Sequence, residues 1–469
     1  MKKLAYICAL TGMLALSSCN DYLDIVPKGE RIPTTLADYE ALLRDEYAIG
    51  QSSILQTLYL LNDNYMTRSN LNSSTLNAAN YLWDESTDRT LLNNGAESTY
   101  YDNYAAISSC NLILENVPTA TEATDEERTE VMNYARVVRA MCYYILTNYY
   151  ADTYDATTAA EKLSVPLITS ANINAPYIQA TLADMYDFII SDLTTAIDNG
   201  IPAQSMTVIH PNLGAAYALL ARVYLQMGNY PEALRNANLA LEQNNALYDW
   251  NAFYDEHREN IENPKDYTNL PTPMDYDYVE NYYFRCGDRT PNYTTSDFNL
   301  PVERAERFEE GDARFLSRWK LYSSGEDTYY QGVNNGYFNY AGLTTTEVYL
   351  IKAECLARQD DLPGAMDALN AVREKRIRPD VYRPASASTL AEAIELIRRT
   401  KDNELIFSIV PFADARRFNN EGTYARTMTK TYNGQTLSLR PDSHLWTMPI
   451  PAGAINNPGN GTIQQNATK

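Results

Sequence analysis

Apolar residues recur at helical spacing along most of this chain, and the pattern breaks in its middle. Thr35 stands as N-cap before an amphipathic run over 36–48. Further helices are predicted over 100–117, stopped by Pro118, and over 126–152, where the pattern is strongly amphipathic. Another covers 182–200 and closes on Gly200. Residues 213–246 fit a tetratricopeptide repeat, a helix-turn-helix unit of about 34 residues. Ala221 and Ala233 are small where its helices must cross, Tyr217, Leu220 and Tyr224 line the seam, and Gly228-Asn229-Tyr230 makes the turn. A weaker copy spans 346–376, with Asp360-Asp361 at the turn and Ala353 and Ala365 at the crossing. Segments 127–149 and 181–199 read as another pair split by an insertion. The repeats are expected to be scattered, not stacked as a plain array.

From about 250 to 345 the period collapses into text rich in Tyr, Asn, Asp, Pro and Gly, which predicts loops and short strands. The stretch 444–466 reads as an extended strap over the surface, with Trp446 in its packing. The expected fold is mostly α: tetratricopeptide-like helix pairs with a loop-rich subdomain and few short strands. A helical N-terminal region covers 36–250. A C-terminal region over 251–469 holds the loop-rich part and the second repeat.

The first residues have a different layout. Lys2 and Lys3 precede an apolar run, Leu4 to Leu16, and Leu16-Ser17-Ser18 leads into Cys19. That is a secretory signal (1–18) ending in a lipobox, with Cys19 as lipid anchor and 19–35 as a tether. The run is too short to span a bilayer, and several acyl chains would anchor the protein stably.

Composition narrows the function classes. A formal charge of −22 argues against nucleic acid and against a polybasic membrane patch. Cys110, Cys142, Cys286 and Cys355 are far apart, with no C-x-x-C; export allows a disulfide, but the fold does not depend on one. Three histidines without paired spacing predict no metal site, and no cofactor motif is present. Carboxylate pairs such as Asp84-Glu85 and Glu309-Glu310 read as solvated surface, so no catalytic residue is assigned and the protein is not expected to be an enzyme.

Tyrosine dominates the aromatics, 38 against 10 Phe and 4 Trp. Its ring face and polar edge suit wet surfaces, where sugar C–H faces stack and Asn, Asp and Arg meet hydroxyls. Two windows qualify. The first runs from Asn62-Asp63-Asn64-Tyr65 to Tyr81-Leu82-Trp83-Asp84. The second holds Tyr276, Tyr278, Tyr282, Tyr283, Arg285 and Tyr293, with Trp319, Tyr329 and Tyr330 beyond it.

Ordered blocks carry a resemblance across nearly the whole mature chain. They are Cys19-Asn20-Asp21-Tyr22-Leu23-Asp24 with Pro27, Tyr101 to Ile107 with Asn111, Ala135-Arg136 with Arg139-Ala140 and Tyr143, and Val165-Pro166-Leu167. After the 213–246 repeat come Glu347 to Glu354, Leu369 to Arg373, Arg416-Arg417, and Pro449-Ile450-Pro451 with Asn457-Pro458. In these the chain resembles the SusD/RagB family of outer-membrane nutrient-uptake lipoproteins of Bacteroidetes. It departs from that pattern at Ala151, Pro411-Phe412 and Ala467. The resemblance implies a surface lipoprotein that captures oligosaccharides, in some members peptides. It also implies a lid over a SusC-like TonB-dependent transporter barrel. No ligand residue carries over by position. Two other readings remain: a tetratricopeptide scaffold that binds a protein, and a surface glycan hydrolase. An open apolar groove along the repeats would favour the scaffold, and aromatics on the loop side a small ligand.

Overall fold

Capping chemistry and small-residue seams build the helical frame. The computed structural model describes residues 33–44, 54–92, 98–263, 270–286, 299–336, 338–459 and 461–466. The signal, Cys19, most of the tether, Tyr293 and Ala467 lie outside the described residues. The frame consists of α1 (Leu36–Leu43), α2 (Ser98–Asn116), α3 (Asp125–Tyr150), α4 (Leu182–Asp198), α5 (Leu213–Gln226) and α6 (Tyr230–Gln243). It continues in α7 (Thr345–Arg358), α8 (Leu362–Glu374), α9 (Leu390–Glu404) and α10 (Val410–Asn420).

Thr35 caps α1 in a capping box with Asp38, as its position suggested. The 26-residue α3 starts from a second box, Thr124 with Glu127, and three acidic residues in its first turn complement the dipole. Its amphipathic character ends early. From Tyr134 to Tyr150 nearly every side chain is buried, because α2, α4 and the C-terminal strap enclose it. A helix apolar all round belongs in a core.

In α5–α6 the predicted crossing holds. Ala221 and Ala233 are fully buried, and Gly228 takes a φ of +73° at the turn. In α7–α8, Asp360 adopts a left-handed φ of +64° and the Asp361 carboxylate accepts from Gly364 N at 3.0 Å, capping α8. The two repeats are not scattered in space. Helix α6 packs on α7, so α3 to α9 form one continuous stack across the long interruption. A buried ion pair, Arg222 on α5 with Glu347 on α7 at 2.6 Å, locks that junction. Between α3 and α4, Arg139 makes a bidentate pair with Asp192 at 2.8 Å and donates to Asn111 of α2 at 2.7 Å. The last turn of the frame is held by Arg417, Arg358, Glu354 and Glu421; the flanking guanidinia hold the buried Glu354 carboxyl well below its usual range.

The strap is interior in its first part and returns to the surface after about residue 455. Leu445, Trp446, Met448 and Ile450 are buried, and Met448 N donates to Tyr149 O at the end of α3. Arg89, wholly buried, donates to the carbonyls of His444, Leu445 and Thr447. Two departures from the family pattern fit this end: Pro411 occupies the first turn of α10, where its missing N–H costs nothing, and Phe412 packs near Trp446. Ala151 is buried and its carbonyl accepts from Arg416. The four cysteines are buried free thiols.

Strands are few and short. β1 (Leu163–Pro166) pairs with β2 (Gln179–Thr181). β3 (Asn299–Pro301), β4 (Trp319–Ser324) and β5 (Asp327–Gly332) form an antiparallel sheet with β5 central. A hairpin, β6 (Met428–Tyr432) and β7 (Gln435–Leu439), projects beside it.

Candidate functional site

The β4–β5 hairpin turns through Gly325, at φ +63°, and Glu326. That register sets Tyr322 directly opposite Tyr329, with ring centroids 5.4 Å apart. Tyr65 approaches from the segment after a short helix (Leu55–Leu60) and stacks on Tyr329 at 5.0 Å and 25°. Three tyrosines therefore stand in a row, and Tyr322 at its end is 43% exposed with Leu321 exposed beside it.

Polar groups fix this platform. The Tyr65 hydroxyl donates to Asp327 Oδ1 at 2.9 Å, and the same oxygen accepts from Arg68 N at 3.3 Å. Burial, with the Asp327 carboxylate next, pushes the Tyr65 phenol up to about 12, so it stays a donor at neutral pH. Arg68 pairs with Glu326 and reaches Asn433 in the β6–β7 turn at 3.4 Å. Asn64, buried, accepts from Asn299 N at 2.9 Å, and Tyr65 N donates to Asn299 O at 2.6 Å. The first aromatic window is thereby joined to β3 and β5.

The remaining sequence candidates serve elsewhere. Trp83 is buried at a φ of +55°; its Nε1 donates to Leu60 O at 2.8 Å, and Lys430 Nζ lies 4.5 Å from its ring. With one face under a cation and the edge bonded inward, it offers no stacking surface. Asp84 caps its own turn, accepting from Ser86 and Thr87, and those bonds hold its carboxyl below the usual range. Tyr282 is buried beneath α5, where a Cβ at Gly214 would lie 2.5 Å from its Cδ1; its hydroxyl donates to Ala240 O at 2.9 Å. Tyr283 and Arg285 are buried near Cys142. Trp319 packs against Phe308, Phe315 and Phe407 beneath the Arg318 guanidinium. All six were expected at the ligand; burial places Trp83, Tyr282, Tyr283, Arg285 and Trp319 in the core instead, and Asp84 is taken up by its own turn.

Tyr322, Asp327 and Arg68 were missed. A hairpin signal was present, with Gly325 between two tyrosine-bearing runs, and reading its register would have paired Tyr322 with Tyr329. Leu61 and Asp63, with 306–308, α9 and 426–429, wall a cavity of about 450 Å³. Among the described residues no group of His, Cys, Asp and Glu could hold a metal ion. No helix there is long and apolar enough to cross a membrane.

Comparison with known proteins agrees with this architecture. Residues 21–225 match a family profile described as "Starch-binding associating with outer membrane", and residues 320–468 match one described as "SusD family". A SusD-like protein of Formosa agariphila is 25% identical over 190 residues, 36% of this chain and 36% of that protein. The chain thus spans about a third of the curated relative it matches. A crystal structure of a SusD superfamily protein from Bacteroides vulgatus superposes with a TM-score of 0.71 at 19% identity, covering 92% of this chain and 99% of that one. Another, from Bacteroides thetaiotaomicron, gives 0.69 at 18% identity with the same coverage. These structures share the fold. With two profiles matched in order across both halves, the chain belongs to the SusD/RagB family.

Proposed function

We propose that this protein is a lipid-anchored, surface-exposed binding protein that captures nutrient oligosaccharides and closes as a lid over a TonB-dependent transporter barrel. Family membership implies glycan binding with a SusC-type partner. The observation that carries the ligand reading is the row Tyr65, Tyr329 and Tyr322, set in polar surroundings and open at one end. Ring faces flanked by Asp327, Arg68 and Asn433 suit a sugar's apolar face and its hydroxyls. Catalysis is not part of the reading: the carboxylates at the row, Asp327 and Glu326, are engaged with Tyr65 and Arg68. The lipid anchor is Cys19, which would retain the protein at the membrane through the tether.

A small ligand is favoured over a protein ligand in the repeat groove. Among the described residues, the large apolar side chains that are exposed, such as Ile173, Ile178 and Leu321, lie outside α5 to α9. Calorimetry against a glycan panel tests the ligand, and Tyr322→Ala should weaken whatever binds. Affinity purification from the native membrane should recover a TonB-dependent barrel, and its consistent absence would refute the lid. Loss of palmitate labelling in Cys19→Ser, and digestion by protease added to intact cells, test anchor and orientation.

A further inference from the structure

A cavity that Leu61 and Asp63, just before Tyr65 in the chain, help to wall is lined by four arginines, Arg307, Arg398, Arg399 and Arg426, in a protein whose net charge is −22. Its volume, about 450 Å³, is in the range of small-ligand sites. Two of the four are engaged. Arg426 pairs with Glu395, and Arg399 lies 3.4 Å from Glu309. Beneath them the buried Arg304 bonds Asp63 at 2.5 Å and Asn403 at 2.8 Å, which ties the segment 302–308 to α9.

Arg307 and Arg398 remain. Arg398 lies 4.7 Å over the Phe418 ring and donates one N–H to Tyr424 O at 3.3 Å, which fixes its plane and leaves other donors unused. Arg307 is anchored through its carbonyl, which accepts from Asn403 Nδ2 at 2.9 Å. Among the described residues its guanidinium makes no ion pair and no hydrogen bond. Two carboxylates of the lining are likewise without an ion-pair partner, Asp402 and Glu306, and Glu306 is exposed. Burial raises the Asp402 carboxyl to about 6 in spite of Arg398, Arg304 and Arg307, so it is the easiest negative charge here to neutralise.

We infer that this cavity seats an oxyanion substituent of the captured glycan, a carboxylate or a sulfate, with Arg307 as its main contact and Arg398 beside it. The inference rests on the glycan reading above and narrows it to acidic glycans. A neutral ligand closing over Arg307 would desolvate a cation with no added counter-charge, which is unfavourable. A planar carboxylate or a sulfate edge matches the guanidinium fork with two charge-assisted hydrogen bonds. The acidic surface as a whole repels polyanions, so selection falls on one acidic group seated locally, not on long-range attraction.

Calorimetry with tetragalacturonate, its methyl ester, a chondroitin 4-sulfate tetrasaccharide and a set of neutral oligosaccharides tests this. We expect an acidic member to bind at least about tenfold tighter than its neutral counterpart, and the identity of that member separates carboxylate from sulfate. Arg307→Gln should lose about tenfold or more of that affinity with little change in melting temperature, since Arg307 is exposed and among the described residues its side chain makes no hydrogen bond or ion pair. Asp402→Asn, which removes the competing carboxylate, should tighten it. Equal affinity for acidic and neutral members, or full affinity in Arg307→Gln, would overturn the oxyanion site. If neutral members alone bind, the site fails and the glycan reading stands; if nothing binds, both fail.

Discussion

The tyrosines of helix α3 and those of the β4–β5 hairpin put one side chain to opposite uses. Tyr134, Tyr143, Tyr144, Tyr149 and Tyr150 are buried along α3. Tyr143 shows how this is tolerated: its hydroxyl donates to Ile168 O at 2.7 Å and accepts from Ile168 N at 2.7 Å. Burial raises its phenol, and that of Tyr144, well above the ordinary value. In the hairpin Tyr322 and Tyr329 pair with each other and with Tyr65, and the row ends at solvent. A buried ring stabilises most when its hydroxyl finds a partner, as that of Tyr143 does. Surface rings cost little to keep and are available for contact. Abundance of tyrosine therefore says nothing of function until the hydroxyl's partner is known.

The sharpest way to break the contrast is to attack the frame. Glu347→Ala strands Arg222 in the interior and should cost about 3–5 kcal/mol in denaturant unfolding. A loss below about 1 kcal/mol would mean the junction between the repeats is not held as described. Second in size is a pH effect in the same region. His210 is buried, with Nδ1 2.8 Å from Thr207 Oγ1 and Nε2 unbonded, and burial lowers its pKa to about 4. The unfolded chain takes up that proton near 6.5, so the stabilisation is fully present above about 6.5 and is lost as pH falls toward 4. With screening allowed for, the loss is on the order of 2 kcal/mol, and His210→Asn should flatten that slope of stability against pH.

Tyr143→Phe should cost about 1–2 kcal/mol, because it leaves the half-buried Ile168 N–H without its partner, while Ile168 O keeps the Asn111 amide. Tyr65→Phe, losing one partly exposed bond to Asp327, should cost about 0.5–1.5 kcal/mol. Tyr322→Ala should change stability by less than about 0.5 kcal/mol while lowering glycan affinity by about two- to tenfold. If Tyr143→Phe and Tyr322→Ala proved equally harmless to folding, the distinction between the two sets would collapse.

Local features of the frame were legible residue by residue. Thr35 reads as an N-cap in the sequence and forms a capping box; Thr124 and Thr389, each with Glu three positions on, form the same motif without having been singled out. Alanines at 221, 233, 353 and 365 mark crossings because only a methyl fits there. The stacking of α6 on α7 was not legible, since it depends on a pairing across 125 residues, Arg222 with Glu347. The site was half legible. Tyr65 and Tyr329 stood in the chosen windows and do stack, whereas Asn64, also chosen, is buried and holds β3. Tyr282, Tyr283, Arg285, Trp83 and Trp319 misled because a polar neighbourhood along the chain is not a wet neighbourhood in space. Tyr282 is the clearest case: its hydroxyl bonds a helix-end carbonyl, and Gly214 makes room for its ring.

The strap adds a constraint in time. Met448 N reaches Tyr149 O, and Asn466 Nδ2 reaches Tyr150 O at 3.0 Å, so the end of α3 is closed by residues some three hundred positions later. A chain emerging from its N-terminus can form α3 early, but that end stays unsatisfied until the last residues arrive. High sequence separation slows such closure. The polypeptide would then remain incompletely folded throughout synthesis, the condition in which a threading translocase can still accept it. On the export route proposed above, deleting residues 445–466 should yield a chain that crosses the inner membrane and is degraded afterwards, read by its level in exported fractions.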